Sequence, residues 1–105
     1  MKRIIDTSQI LGTVELPDGL REICATAVAS YDEASRHLVT RLDSFLRATG
    51  SRVEERHVSA PWLPPAETLT ETAEPEEAPD LAREIFHRWV AKVRQSAPSI
   101  HSATL

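Results

Sequence analysis

The residues best suited to chemistry in this sequence are two Glu-x-x-His pairs. Glu54 stands three positions before His57, and Glu84 stands three positions before His87. On a helix this spacing puts a carboxylate and an imidazole on the same face, as in the ligand sets of di-iron helical bundles. The two pairs therefore raise a metal-binding helical bundle as one hypothesis for the function.

The surroundings of both pairs argue against a metal site. Counted at about 100° per residue, the apolar face of the expected C-terminal helix points away from Glu84 and His87. Glu54 and His57 lie in a stretch of mixed polarity that fits either a frayed helix or a short edge strand. Since bundle metals are bound by side chains that project inward, we expect solvated polar residues here, with no metal and no cofactor.

Other catalytic signatures are missing from the sequence. It has no Gly-x-Ser-x-Gly turn, and its three glycines do not form a phosphate-binding loop. The only cysteine, Cys24, excludes a disulfide framework and a cysteine-based zinc site within one chain. Its apolar neighbours favour a small buried hydrophobe over a reactive thiol. The sequence therefore predicts a protein that is not an enzyme.

The charge balance limits the choice of partner. The chain of 105 residues has a formal net charge of -4, so it has no overall field that attracts phosphate. A basic set does lie on the outer side of the expected C-terminal helix: Arg83, His87, Arg88, Lys92 and Arg94. This set makes a small nucleic-acid-binding regulator a further alternative, but Glu84 and the acidic segment before the helix dilute its charge. We expect a solvated face and a protein partner.

The N-terminal segment and the hydropathy favour a cytoplasmic protein. Lys2 and Arg3 resemble the start of a signal peptide, but Asp6 interrupts the apolar region that would have to follow. No stretch approaches the roughly 20 apolar residues of a membrane span. We therefore expect no membrane association.

The longest run without proline or glycine, Leu20–Ala48, dominates the expected architecture. Residues on it recur at alternating steps of four and three, which is typical of a heptad seam. The seam consists of Cys24, Val28, Tyr31, Ser35, Leu38, Leu42 and Phe45. Asp18 is the expected cap at its start and Gly50 the expected stop. A capping-box pattern at Ser30 and Glu33 is the alternative, which would begin a new helix there.

The rest of the chain divides around this run. Residues 1–16 alternate in polarity and predict an extended arm or a small hairpin, and residues 17–50 form the long helix. Residues 51–80 contain five prolines and a run of acids, which predicts an irregular acidic connector. Residues 81–95 form a second helix, with Asp80 as its cap, and residues 96–105 form a flexible tail.

The predicted fold is one mainly α domain with a long helix, a shorter helix, the acidic proline-rich connector and an N-terminal arm or hairpin. A helix of about 45 Å is too long for the short one to cover. We therefore expect two copies to pair in a dimeric helical bundle. The residues predicted for self-association are Val28, Tyr31, Leu38, Leu42 and Phe45. The predicted function is a non-enzymatic protein–protein interaction module, such as an adaptor, an assembly factor or a complex subunit.

Trp62 and Leu63 are the apolar exception in the connector. They stand between prolines, and leaving them in water would be costly. They are expected either to fold back as a lid on the core or to dock as a short linear motif into a partner.

Overall fold

The computed structural model describes residues 2–52 and 58–98 as a four-stranded antiparallel sheet with one helix on one face. The elements are β1 (Lys2–Leu16), β2 (Gly19–Asp32), β3 (His37–Ala48), β4 (Glu67–Thr72) and α1 (Ala78–Ser96). The strands lie in the sheet in chain order. The prediction of a mainly α fold and a helical bundle is therefore wrong, because the expected long helix is replaced by β2 and β3.

Strand β2 follows from a period of two that the heptad seam concealed. Every second side chain is buried in the core: Ile23, Ala25, Ala27, Ala29 and Tyr31. Thr26, Val28 and Ser30 lie between them and are half-buried, as in a strand with one face on a core. The seam was wrong because it combined Val28 from one face with Tyr31 from the other.

The turn at residues 33–36 separates β2 from β3 without glycine or proline. The Ala34 amide donates to Oδ1 of Asp32 at 3.0 Å, and the Arg36 amide donates to the Asp32 carbonyl at 2.7 Å. The bond from Ala34 lowers the pKa of Asp32. Arg36 has φ 60°, a left-handed conformation uncommon outside glycine. Asp32 therefore begins an Asx turn in the middle of the run predicted to be helical.

A two-residue turn, Pro17-Asp18, joins β1 to β2. Leu16 pairs with Gly19, whose φ of 124° favours glycine. The Asp18 carboxylate accepts a hydrogen bond from Arg21 at 2.9 Å, and this bond lowers its pKa. Asp18 is therefore a turn residue and not the cap of a helix. The hairpin considered within residues 1–16 is also absent, because β1 is continuous and pairs with β2.

Strand β4 lies inside the segment 51–80, which was expected to be irregular. It pairs with β3 from His37–Thr72 to Leu42–Glu67. Farther along the same edge of β3, Val58 exchanges two backbone hydrogen bonds with Leu46, at 3.0 and 3.3 Å. The edge of β3 thus draws part of the connector into the sheet.

Helix α1 supplies the second layer of the domain. It lies where residues 81–95 were expected to be helical, but it begins at Ala78. Its buried face consists of Ala78, Ala82, Ile85, Phe86, Trp89, Val90 and Val93. Glu77 occupies the N-cap position without a side-chain cap bond, while Asp80 lies in the first turn and accepts from Arg83 at 2.8 Å. Within the described residues, no helix is both long enough and apolar enough to cross a membrane.

Two side chains fasten the helical layer to the sheet through backbone carbonyls. The buried Tyr31 hydroxyl donates to the Ala73 carbonyl at 2.5 Å, just before α1 begins. The Trp89 indole donates to the Asp43 carbonyl of β3 at 2.9 Å. Burial raises the pKa of Tyr31, because water is lost from around the phenolate form.

Two hydroxyls on the helix-facing side of β3 are buried without a hydrogen-bond partner among the described residues. They belong to Thr40, which is fully buried, and Ser44. A buried polar group without a partner costs about 1–3 kcal/mol.

Replacing Thr40 by valine should therefore stabilise the fold. Thr40→Val keeps the shape of the side chain and removes the unpaired hydroxyl, so we expect a gain of about 1 kcal/mol in chemical denaturation. The matched control is Thr70→Val, at an exposed position of β4, which should change stability by less than about 0.5 kcal/mol. A loss of stability in Thr40→Val would mean that the hydroxyl does bind a partner.

Candidate functional site

The outer edge of β1 is the most extensive unpaired feature in the described part of the chain. β1 is the first strand of the sheet and has β2 as its only strand neighbour there. It runs for 15 residues, whereas β4 at the opposite edge has six. Every second residue of an edge strand directs its N–H and C=O groups outward, where they can pair with another strand.

Two irregularities divide this edge. The register with β2 shifts between Arg3 and Ile5 and again between Ile10 and Gly12, so Ile4 and Leu11 are the extra residues of two bulges. Gly12 has φ 149° at the second bulge. Between the bulges, Ile5–Ile10 is a regular segment without proline or glycine, long enough to pair with a short strand.

The side chains along Ile5–Ile10 alternate between the two faces of the sheet. Residues directly opposite in a ladder share a face. Ile5 and Gln9 pair with Ala29 and Ala25, so they lie on the helix-covered face, whereas Ile10 pairs with Cys24 on the other face. The only ionisable group in the segment belongs to Asp6, whose carboxylate is bound by Arg3 at 3.1 Å.

The sheet face opposite α1 carries a second candidate. An open depression of about 290 Å³ is lined by Thr26, Val28, Arg41, Leu42, Asp43, Ala66, Glu67 and Thr68. Its ionisable lining residues are one cation, Arg41, and two acids, Asp43 and Glu67. The described lining contains neither a histidine nor a cysteine, so the depression lacks the groups usual in general acid–base or thiol catalysis.

A buried ion pair lies farther along that face. Arg47 donates from Nε to Glu22 Oε1 at 2.9 Å, and the two side chains are only 6% and 14% exposed. Cys24 is fully buried nearby, and burial raises the pKa of its thiol while the positive charge of Arg47 opposes that shift. A neutral buried thiol is a poor nucleophile. These groups therefore serve the fold rather than a reaction.

The residues predicted for self-association do not form one surface. Tyr31, Leu38 and Leu42 belong to the core between sheet and helix, with exposed fractions of 3% or less. Phe45 is also buried, on the other face, and Val28 is half-buried there. The long-helix interface is therefore wrong, whereas self-association itself stays a prediction.

Trp62 and Leu63 both face inward. Leu63 is buried in the core cluster, and Trp62 is half-buried against it. The Leu63 amide donates to the Ala60 carbonyl at 3.0 Å and closes a tight turn. Of the two alternatives, a lid on the core and a docking motif, this placement corresponds to the lid.

The metal hypothesis gains nothing from the placement of its residues. Glu84 and His87 lie on the exposed side of α1, where the Glu84 carboxylate is bound by Arg88. Glu54 and His57 lie outside the described residues. Among those described, no group of three or more histidine, cysteine or acidic side chains could bind a metal ion.

The basic set of α1 is largely paired with acids. Arg83 binds Asp80, Arg88 binds Glu84, and Lys92 binds Glu67 on β4. These partners neutralise much of the positive charge that could attract a nucleic acid. A contact with phosphates would have to compete with the pairs.

The edge of β1 was not recognised from the sequence. Its signal was present as the alternating polarity of residues 1–16, but an edge strand is defined by what does not pair with it. That property depends on the whole sheet. No family model, curated protein or solved structure matches this chain, so the site is defined by its geometry.

The buried pair can be tested against an exposed one. Arg47→Met leaves the Glu22 carboxylate without its cationic partner and should cost about 3 kcal/mol in chemical denaturation. The matched control is Arg36→Met, which breaks the exposed pair with Glu74 and should cost less than about 1 kcal/mol. The double variant Glu22→Gln/Arg47→Met should recover much of the loss. Equal costs for the two single variants would contradict the importance of burial.

Cys24 provides a pH-dependent test of the same region. Its folded pKa is raised above the unfolded value, so its contribution to stability is present below 9.0, the ordinary thiol value, and decreases as the pH rises from there through the folded pKa. Denaturation at several pH values should give this decrease in the parent and a smaller one in Cys24→Ala. Native protein should not react with Ellman's reagent, whereas unfolded protein should release one equivalent. Rapid reaction of the native thiol would contradict its burial.

Proposed function

We propose that the protein is a non-enzymatic protein–protein interaction module that binds a polypeptide as an additional strand on the β1 edge. The observation that carries the proposal is the unpaired edge itself, with its regular segment Ile5–Ile10. Strand addition obtains affinity from main-chain hydrogen bonds and specificity from alternate side chains. An adaptor, an assembly factor and a complex subunit would all use such a contact.

The chemistry of the edge restricts which strands fit. Ile5 and Ile10 place one half-buried apolar side chain on each face, at opposite ends of the segment. Lys2, Arg3 and Asp6 are exposed, and charges with bulges are the features that keep natural edge strands from pairing indiscriminately. A fitting strand places an apolar residue opposite Ile5 and an anion opposite Arg3.

The other hypotheses have less support. The described metal candidates face solvent, and most of the basic set is already paired, so neither metal binding nor nucleic-acid binding gains from the geometry. The cytoplasmic location expected from the sequence stays a prediction.

Site-specific photocrosslinking in the cells of origin tests the proposal. A benzophenone amino acid at Gln9, which is exposed on β1, should give a discrete crosslinked product on irradiation. The matched position is His87, which is exposed on the outer side of α1 and should give none. The mass of the product distinguishes a second copy from another protein. A product from His87 but not from Gln9 would contradict the proposal.

Proline substitution shows whether backbone pairing makes the contact. Of two consecutive residues in β1, one directs its N–H toward β2 and the other directs it outward. Thr7→Pro and Ser8→Pro are therefore both made, and one of the two positions directs its N–H outward. The variant at that position should keep its melting temperature within about 3 °C, because it loses no hydrogen bond to β2. That variant should lose the Gln9 crosslink. Persistence of the crosslink in the stable proline variant would exclude strand addition.

A further inference from the structure

We propose that the strand that adds to the β1 edge is β1 of a second copy, antiparallel about a twofold axis at Gln9. This inference rests on the proposed function and names its partner. The support comes from the charges of β1, which are complementary when the strand is paired with itself. The faces of its side chains and the positions of its bulges allow this pairing.

Symmetry first fixes the faces. A twofold axis that relates two neighbouring antiparallel strands is perpendicular to the sheet, so both copies present the same face to the same side. The two α1 helices then lie on one side of a continuous sheet, and each residue must meet a residue of its own face. On β1, the ladder with β2 assigns the helix-covered face to Lys2, Ile5, Thr7, Gln9, Gly12, Val14 and Leu16.

The bulges are compatible with pairing about Gln9. Ser8 then meets Ile10 of the second copy, both on the face opposite α1. One step farther out, the extra residue Leu11 of one strand is passed over, and Thr7 meets Gly12, both on the helix-covered face. Asp6 then meets Thr13 and Ile5 meets Val14.

The pairing passes over the first bulge in the same way. Passing over Ile4 brings Arg3 opposite Glu15 and Lys2 opposite Leu16. Each pair again joins residues of one face, so face matching is maintained along the whole strand. Counting either extra residue in the pairing would instead join residues of opposite faces beyond it, because a slip of one residue moves every side chain to the other side. Both bulges are therefore compatible with a symmetric partner.

The charges complete the match. Arg3 and Glu15 lie on the face opposite α1, near opposite ends of β1. The twofold axis places Arg3 of each copy opposite Glu15 of the other. Opposite charges directly across two strands stabilise the pairing, and like charges destabilise it. Within its own chain, Arg3 has only the exposed Asp6 as an ion-pair partner among the described residues, so it is accessible to Glu15 of the second copy.

The pairing uses the full length of the strand. Fifteen residues extend over about 50 Å, comparable with the longest dimension of the molecule, 49 Å. Two four-stranded sheets would become one sheet of eight strands, and the longer edge of each copy would disappear. Only the short β4 edge would remain free at each end.

A charge exchange tests this arrangement. Size-exclusion chromatography with light scattering should give twice the mass of one chain at micromolar concentration. Arg3→Glu and Glu15→Arg should each raise the dimer dissociation constant by about tenfold or more, because each places like charges across the interface twice. The double variant should return to within about threefold of the parent, since opposite charges face each other again.

Because Arg3→Glu also breaks the ion pair with Asp6 in its own chain, the control variant must break a similar intrachain ion pair away from β1. Arg83→Glu breaks an exposed i,i+3 pair with Asp80, as Arg3→Glu does with Asp6, and should leave the dissociation constant unchanged. A dimer that is insensitive to both single changes would overturn the proposed register. Folding of each variant is checked by its melting temperature, and the double variant keeps the composition of the parent.

The outcomes separate this inference from the proposed function. If the purified chain is a monomer up to roughly 100 µM, self-pairing is overturned. A Gln9 crosslink to a different protein would then still support the proposed function. A monomer without any Gln9 crosslink would overturn both.

Discussion

The packing of α1 on a row of alanines in β2 is the contact on which the rest of the structure depends. Ala25, Ala27 and Ala29 on the sheet and Ala78 and Ala82 on the helix are all fully buried. Small side chains on both sides allow the two layers to approach closely, and the larger core residues pack around them. This contact buries one face of the sheet and selects the strand arrangement for residues that could also be helical.

Helix α1 covers one face of the sheet, so the parts of the sheet that remain for interaction are its edges and its other face. The edge of β1 lies outside the two-layer core, and the described part of the face opposite α1 carries an open depression beside the buried Cys24 and Phe45. Buried groups fasten the interior: Tyr31 to Ala73, Trp89 to Asp43 and Arg47 to Glu22. The unpaired edge of β1 in the described sheet is the feature on which the proposed interaction depends.

Several local features were predicted correctly from the sequence, but the largest predicted element, the long helix, was wrong. The apolar stripe of α1 repeats with the helical period, and its residues are buried as that period predicts. Pro17 and Gly19 were recognised as ending an extended region, and they flank the turn between β1 and β2. The helix predicted for Leu20–Ala48 was wrong because this segment contains neither proline nor glycine and is rich in alanine, which favours helices. The apolar positions of the segment also fit both the helical and the strand period. The turn at Asp32 depends on a side-chain bond and on Arg36 at positive φ, for which the sequence has no strong signal.

The sequence by itself determined the features that arise within a few residues: one helix near the C-terminus, a break after β1, a buried cysteine and no recognisable catalytic motif. Tertiary structure alone decided that Tyr31, Leu38 and Leu42 belong to a β core, that the connector supplies β4, and that Trp62 lies against the interior. It also decided that β1 is an edge. The physical reason is that strand pairing joins residues distant in the chain, and which strand remains unpaired is a property of the complete sheet.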